Sequence, residues 1–409
     1  MRLRGGAMVP ALALLSAIVA VLASIAAMQR AAIEAATNRV QTERARMAAE
    51  SGLERALAAL ESVQMGLVRG DDEWAAFGRG EETYLLDGGS FRVEIVDACS
   101  RIDVNTVDQA QLENLNLTNE QIESLLDWRE PELVPRPEGG KDEFYNNLAE
   151  PYNTKLRAFD SVDELLLVKG WDGPTLYEPL GASQATGPVF GSGTEQLPLC
   201  EMLTADAFCR NLAPDGEAKL NANTADANQM IQRGVPTQVA QAIVQRRTQQ
   251  GTFSTMSQVL AVPGVNLSNA GTILDVLTVT GDAEIRGKIN LNTATQAVLE
   301  TIPDLGSDVA LSIANQGGFS SYSEVAAISG VDLRVLGILA DRTTLGSSSF
   351  LVRVLGTAGR TSVALEAVVR NRAGRWVVEK VSQPPFGDMP ARWGWVEETS
   401  NEVDLRSGQ

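Results

Sequence analysis

The sequence lacks histidine altogether, and it has only three cysteines among its 409 residues. Histidine is the commonest general base and metal ligand, so its absence removes the simplest route to acid–base catalysis. The conspicuous acidic pairs, Asp71–Asp72 and Asp142–Glu143, belong to a chain with a net charge of −18, where such pairs are usually solvated surface. We therefore expect a protein without catalytic activity.

Basic residues are also scarce, with 34 lysines and arginines against 52 aspartates and glutamates. A partner with a phosphate backbone requires clustered basic side chains, so this balance argues against nucleic acid. The hydrophobic fraction of 44% is ample for packed cores, and the length exceeds that of one ordinary domain.

The three cysteines, Cys99, Cys200 and Cys209, fit an oxidising compartment as one disulfide and one leftover thiol. Cys200 and Cys209 are close enough in sequence to close a small loop, and we predict a disulfide between them. Three free thiols remain the alternative, because spacing alone does not establish the bridging geometry.

One long apolar run begins the chain, with no charged residue from Gly6 to Met28. This length is sufficient for a helix to cross a hydrocarbon core about 30 Å thick. Arg2 and Arg4 precede the run and favour a cytoplasmic N-terminus, which places the bulk of the chain outside the cytoplasm.

The helical pattern continues beyond this run to about Val63, as an amphipathic stalk. Its apolar face includes Ile33, Val40, Met47 and Leu53, and a bare stripe of this kind predicts partner helices. A cleaved secretory signal peptide that ends near Ala26–Ala27 is the alternative, although a continuous helix argues against it.

The start of the chain resembles a prepilin. The resemblance rests on Arg4–Gly5 followed by Gly6–Ala7–Met8, on the long apolar helix, and on the Ala48–Glu54 run. It implies that a prepilin peptidase cuts after Gly5, or else after Gly6, on the cytoplasmic side. Most such proteins have Glu at mature position five, where this chain has Pro10, or Ala11 for the second cut. Loss of that Glu is a feature of the K class of minor pseudopilins of type II secretion systems.

Alternating apolar and polar residues predict short strands at two distant places. Two lie near Thr83–Leu86 and Ser90–Val96, and three lie near Phe350–Leu355, Ser362–Arg370 and Trp376–Val381. A long helix packed on an antiparallel sheet is an α+β, pilin-like fold, here with a large all-α domain inserted between strands. The expected boundaries are 1–5 for the leader, 6–65 for the transmembrane and stalk helix, 66–98 for the first β region, 99–346 for the insert, and 347–409 for the C-terminal strands and tail.

The insert contains an internal repeat, marked by Asn105–Thr106, Asn223–Thr224 and Asn292–Thr293. We predict that each Asn–Thr pair caps the N-terminus of a helix. The units resemble helix-hairpin-helix or SAM-like modules, which makes a membrane-anchored DNA-binding protein of competence the alternative function. Against it, acidic residues outnumber basic ones two to one between Arg101 and Leu345, and Asp304 stands where a glycine amide would approach phosphate.

The first helical unit resembles the K-type pseudopilin signature. The matching residues are Asp127–Trp128, the loop Gly140–Tyr145, Pro151–Tyr152, and Phe159–Gly170, with departures at Arg129–Glu130 and Asp142–Glu143. The family can hold calcium in its helical domain, so Asp127, Glu130, Asp142 and Glu143 are candidate ligands, although no EF-hand spacing is present.

The resemblance implies a non-enzymatic minor pseudopilin that caps or initiates the pseudopilus at its tip. The expected partners are minor pseudopilins of the I and J classes, the inner-membrane assembly platform and the prepilin peptidase, with no nucleic acid. The expected location is a single pass through the inner membrane of a Gram-negative cell, with the bulk in the periplasm.

Overall fold

The structure is a computed structural model that describes residues 8–78, 80–178, 197–383, 393–395 and 401–405. Its α-helices are α1 Met8–Leu60, α2 Gln109–Glu113, α3 Asn119–Arg129, α4 Asp142–Tyr145, α5 Gly173–Tyr177, α6 Leu199–Met202, α7 Ala227–Gln232, α8 Thr237–Gln250, α9 Met256–Leu260, α10 Leu267–Val276, α11 Gln296–Glu300, α12 Ser307–Gln316, α13 Tyr322–Ala326 and α14 Leu333–Arg342. Its strands are β1 Glu82–Leu86, β2 Gly89–Asp97, β3 Ile102–Asp103, β4 Leu203–Thr204, β5 Phe208–Arg210, β6 Leu220–Asn221, β7 Leu277–Thr278, β8 Glu284–Arg286, β9 Ile289–Asn290, β10 Thr343–Thr344, β11 Ser349–Ala358, β12 Thr361–Arg372, β13 Arg375–Ser382 and β14 Asn401–Asp404.

Helix α1 is the long N-terminal helix that the apolar run and the stalk pattern predict. Its 53 residues extend about 80 Å at 1.5 Å per residue. Pro10 lies in its first turn, where a missing backbone N–H is tolerated, and Gly52 is its only glycine. By length and composition this helix can cross a membrane, and its most apolar stretch makes no buried contact with the rest of the chain.

A six-stranded sheet packs against the C-terminal third of α1, with the strand order β13-β12-β11-β2-β1-β14. The neighbouring strands are antiparallel except β1 and β14, which are parallel. The central pair joins distant parts of the chain, since Val93 of β2 lies opposite Val354 of β11. The pilin-like arrangement expected from the sequence is confirmed, and β14 is an addition that the sequence did not predict.

Small residues allow α1 to approach the sheet closely. Ala45, Ala49 and Ala56 are fully buried on its sheet-facing side. A Cβ atom on Gly52 would lie 2.5 Å from Val354 Cγ1, and one on Gly356 would collide with the backbone of Ala45. Glycine is therefore required on both sides of this contact.

The insert between β2 and β11 consists of three successive units, each opened and closed by a short strand. The opening and closing strands of each unit pair in parallel, as β3 with β4, β6 with β7, and β9 with β10. The helices between them are α2–α6, α7–α10 and α11–α14. The insert is thus mainly helical, and the structure adds these short strand pairs to the expected domain.

The asparagine of each repeat motif holds a loop that comes later in the same unit, by binding the backbone of a phenylalanine in that loop. The side-chain amide of Asn292 donates to Phe319 O at 3.0 Å, and its oxygen accepts from Phe319 N at 2.7 Å. Equivalent pairs of hydrogen bonds join Asn105 to Phe159 and Asn223 to Phe253. The segments at Phe159, Phe253 and Phe319 therefore occupy equivalent places in the three units.

The prediction that the Asn–Thr pairs cap helices was wrong. The helix N-caps lie three residues after each asparagine, at Asp108, Asp226 and Thr295. An asparagine side-chain amide can both donate and accept a hydrogen bond. Each motif asparagine uses this to pair with the N–H and the C=O of one phenylalanine backbone, instead of with the N–H groups at a helix start.

The second and third units contact each other reciprocally. Asp275 in α10 accepts from Tyr322 N at the start of α13, at 2.9 Å. Asp341 in α14 likewise accepts from Met256 N at the start of α9, at 2.6 Å. Each unit thus supplies the carboxylate that caps a short helix of the other, which joins the two units into one pseudosymmetric pair.

Candidate functional site

The exposed apolar stripe on α1 is the strongest candidate for a contact surface. Ile33, Val40 and Met47 are 66%, 53% and 65% exposed. They follow one another at intervals of seven residues, so they lie on one side of the helix. Met47 is two positions from both Ala45 and Ala49, and two positions correspond to about 200° of rotation. The stripe therefore points away from the sheet.

The other residues expected to join this surface are placed differently. Leu53 is half-buried and packs against the core between α1 and the sheet, so its assignment to the assembly surface was wrong. It lies about six positions beyond Met47, and the helix has by then turned it toward the sheet. Pro10 is exposed in the apolar part of α1. Gly5 and Gly6, the expected cleavage positions, lie outside the described residues.

The four candidate calcium ligands do not form a cation site. Asp127 is fully buried and accepts from Arg136 Nη1 at 2.7 Å, and Glu130 accepts from Arg136 Nη2 at 2.6 Å. Asp142 instead accepts from Thr154 N at 2.7 Å, and Glu143 is exposed. Among the described residues, no three histidine, cysteine or acidic side chains are placed to hold a metal ion together.

The positively charged side chains of Arg136 and Lys141 bind to Asp127 and Glu130, two of the residues expected to bind calcium. Lys141 is buried, and its Nζ donates to the backbone carbonyls of Asp127 and Glu130 at the C-terminal end of α3. Burial lowers the pKa of Lys141. Burial also acts to lower the pKa of Arg136, but the hydrogen bonds to Glu130 and Asp127 outweigh it and raise that pKa. The side chains present here therefore do not fit a calcium ion, and the expected ligand set is corrected.

The helical hairpins share a turn geometry that is used elsewhere to contact phosphate. The turn residues Asn116, Gly170, Gly234, Gly264, Asp304 and Gly330 all have positive φ, and each lies two residues before the N-cap of the next helix. At Asp304 the side chain is exposed and lies 3.2 Å from the guanidinium of Arg334. A carboxylate at this position opposes an approaching phosphate.

No disulfide joins any two of Cys99, Cys200 and Cys209 in the structure, so the predicted Cys200–Cys209 bridge is absent. Cys209 is the central residue of β5 and packs with Cys99 and Ala207 in a small separate core. Cys200 lies on α6 and packs against the main core of the insert. The two cysteines are apart because residues 203–207 take the chain from the main core of the insert, which contains Cys200, to the small core that contains Cys209.

Residues 101–180 match the family model described as type II secretion system (T2SS), protein K. Residues 101–180 therefore form a type II secretion protein K domain within the longer chain. Residues 216–275 also match the helix-hairpin-helix motif. Both resemblances drawn from the sequence are thereby confirmed for these segments.

A solved structure titled as the GspK-GspI-GspJ complex from the type 2 secretion system of enterotoxigenic Escherichia coli is also similar. It matches with 15% identity and a TM-score of 0.44, over 84% of this chain and 97% of that chain. No curated protein matches the chain.

Sequence reasoning missed two residues that organise the protein K domain, Arg136 and Lys141. Both lie in the loop that follows α3, where their charges are satisfied by carboxylates and carbonyls of that helix. The available signal was a basic residue between two prolines, Pro135 and Pro137, in an otherwise acidic loop.

Proposed function

We propose that this chain is a minor pseudopilin at the tip of the type II secretion pseudopilus, where it caps or initiates the filament and has no catalytic role. The observation that carries the proposal is a protein K domain in the same chain as an exposed apolar stripe on an unpartnered helix. We further propose a single pass through the inner membrane, with residues after about Arg30 in the periplasm.

The size of the insert supports the terminal position. The chain between β2 and β11 forms a domain much wider than the helix it accompanies, and subunits stacked above it in a filament of thin helices would collide with it. Pro10 supports the same role. In pilin-like filaments the acidic residue at this position neutralises the N-terminus of a neighbouring subunit, and a terminal subunit has one neighbour fewer.

The partners proposed for the stripe are minor pseudopilins of the I and J classes, with the inner-membrane assembly platform below them. Their N-terminal helices would bury Ile33, Val40 and Met47 in a parallel bundle. Removing an exposed aliphatic side chain from water stabilises such contacts by roughly 1.5–3 kcal/mol when burial is complete.

The test is a double substitution, Val40→Asp with Met47→Asp, in the full chain co-produced with the I- and J-class proteins of its own secretion system. We expect loss of the complex upon affinity purification from detergent-solubilised membranes. The matched control is Asn38→Asp with Thr42→Asp, which adds the same two charges at exposed positions on the opposite side of α1. Equal recovery of partners with both double variants would overturn the proposed interface.

The helix-hairpin-helix match makes DNA binding the second candidate. It predicts salt-dependent affinity for duplex DNA at physiological ionic strength. We expect none, because the insert is strongly acidic and Asp304 is exposed at a hairpin turn. Measurable binding that weakens as salt increases would favour this alternative.

A further inference from the structure

Two cysteines that are far apart in sequence meet where the sheet joins the insert. Cys99 belongs to a single 3-10 turn, Ala98–Ser100, that directly follows β2. Cys209 is the central residue of β5, in the insert. Their exposures are 0% and 2%, and together with Ala207 they form a small core that is separate from the two large ones.

The backbones that carry both thiols are fixed by hydrogen bonds. Cys99 N donates to Asp97 Oδ1 at 2.8 Å, which shapes the turn. The Cys99 thiol donates to the carbonyl of Phe208, the residue before Cys209, at 3.3 Å. Strand β5 is in turn held by β8, with Cys209 opposite Ile285. The Cys99 sulfur therefore lies directly beside the strand that carries Cys209.

We propose that Cys99 and Cys209 form a disulfide when the chain folds in an oxidising compartment. The two thiols lose two protons and two electrons as the S–S bond forms, and a protein disulfide oxidant is reduced to two thiols by exchange. The proposal rests on the proposed function for the compartment, because a periplasmic domain meets such oxidants.

The bridge would covalently join the end of β2 to the insert and close a loop that contains the whole first helical unit. Burial raises the pKa of both thiols, that of Cys209 to about 11, so few thiolates exist once the core has closed. Exchange requires a thiolate and access. The bridge must therefore form before β5 docks beside the turn at Cys99.

The third cysteine serves as an internal control. Cys200 lines a cavity of about 200 Å³ between the sheet and the insert, beside Arg101 and Glu201. It belongs to a different cluster from Cys99 and Cys209. The proposal thus predicts one unmodified thiol per chain, and identifies it as Cys200.

The test uses the full chain in the inner membrane of a Gram-negative host. Cells are quenched with acid, and the protein is unfolded and treated with a maleimide of defined mass, with or without prior reduction. We expect one label without reduction and three with it. Cys200→Ser should then give no label without reduction, while Cys99→Ser and Cys209→Ser should each give two.

A second arm separates this proposal from the proposed function. The purified full chain is reduced, unfolded in urea with detergent, and refolded with oxidised and reduced glutathione before labelling. One label after refolding but three from cells would preserve the bridge and overturn the periplasmic location. Three labels in both arms, or a linked peptide that contains Cys200, would overturn the bridge.

Discussion

Arg353 is expected to hold the insert on the sheet, and its removal is the most informative single change. It lies on β11 with only 4% of its side chain exposed. Its guanidinium contacts Glu201 of the insert at 2.7 Å, and Glu94 and Glu366 of the sheet at 3.3 and 3.4 Å. The charges of these carboxylates raise the pKa of Arg353 well above its usual value, although burial acts in the opposite direction.

The substitution Arg353→Gln would leave two largely buried carboxylates without this partner. Removing one member of a buried ion pair usually costs about 3–5 kcal/mol, because the remaining charge stays desolvated. Glu201 would keep its ion pair with Arg101 at 2.6 Å, and Glu94 would keep the hydrogen bond from Trp395 Nε1 at 2.9 Å. We therefore expect the lower end, a loss of about 3 kcal/mol in the free energy of unfolding.

Urea unfolding of the full chain in mild detergent, followed by tryptophan fluorescence, measures this loss. Arg360→Gln is the matched control, because Arg360 is exposed in the turn between β11 and β12. If the cost arises from an orphaned carboxylate, Glu94→Gln added to Arg353→Gln should restore part of the stability. A double variant less stable than Arg353→Gln alone would refute the electrostatic explanation.

Three further outcomes are expected. Asn292→Ala should lower the free energy of unfolding by about 2–4 kcal/mol in urea titrations, because it leaves Phe319 N and O unpaired in the interior, whereas Asn147→Ala at an exposed site should have little effect. Burial raises the pKa of Asp275 to about 6 from 3.8, so the folded state prefers the protonated acid, and this preference is lost as the pH rises. Relative to Asp275→Asn, the wild type should therefore lose up to about 3 kcal/mol between pH 4 and pH 7, and parallel pH profiles of the two proteins would contradict this. N-terminal sequencing of membrane-extracted protein should begin at Gly6 or Ala7, and a start near Met28 would indicate an ordinary signal peptide instead.

The regular elements could be predicted because their patterns are local. The absence of glycine and proline between Ala11 and Ser51 specified α1, and period-two alternation located β1, β2, β11, β12 and β13 to within a few residues. Strand β14 was not predicted, because four residues are too few to show a clear alternation of apolar and polar residues. It pairs in parallel with β1 at the edge of the sheet. The repeat motif was recognised, but its asparagines bind phenylalanine backbones that lie 27 to 54 residues away in the sequence.

The candidate site was less predictable, since it depends on which charges meet in space. The family resemblance suggested calcium at four acidic residues, but sequence spacing could not show that Arg136 and Lys141 supply the positive charge there. The predicted disulfide between Cys200 and Cys209 was wrong for a related reason. Nearness along the chain favoured Cys200 with Cys209, whereas in the fold Cys209 packs with Cys99 in a small separate core.

The way in which the insert is attached explains how a pilin-like sheet tolerates it. Asp97 and Phe350, at the two ends of the insertion, lie opposite each other in the register of β2 and β11. The insert thus leaves and re-enters the sheet at adjacent points, so the strands on either side keep their pairing. Asp97 is fully buried, and its carboxylate accepts from Asn290 Nδ2 at 2.8 Å and from Thr293 Oγ1 at 2.7 Å. Because side chains of the third unit bind this carboxylate directly, the insert cannot swing freely about its two connections. A partner that binds the stripe on α1 therefore fixes the orientation of the insert as well, through the sheet that both share.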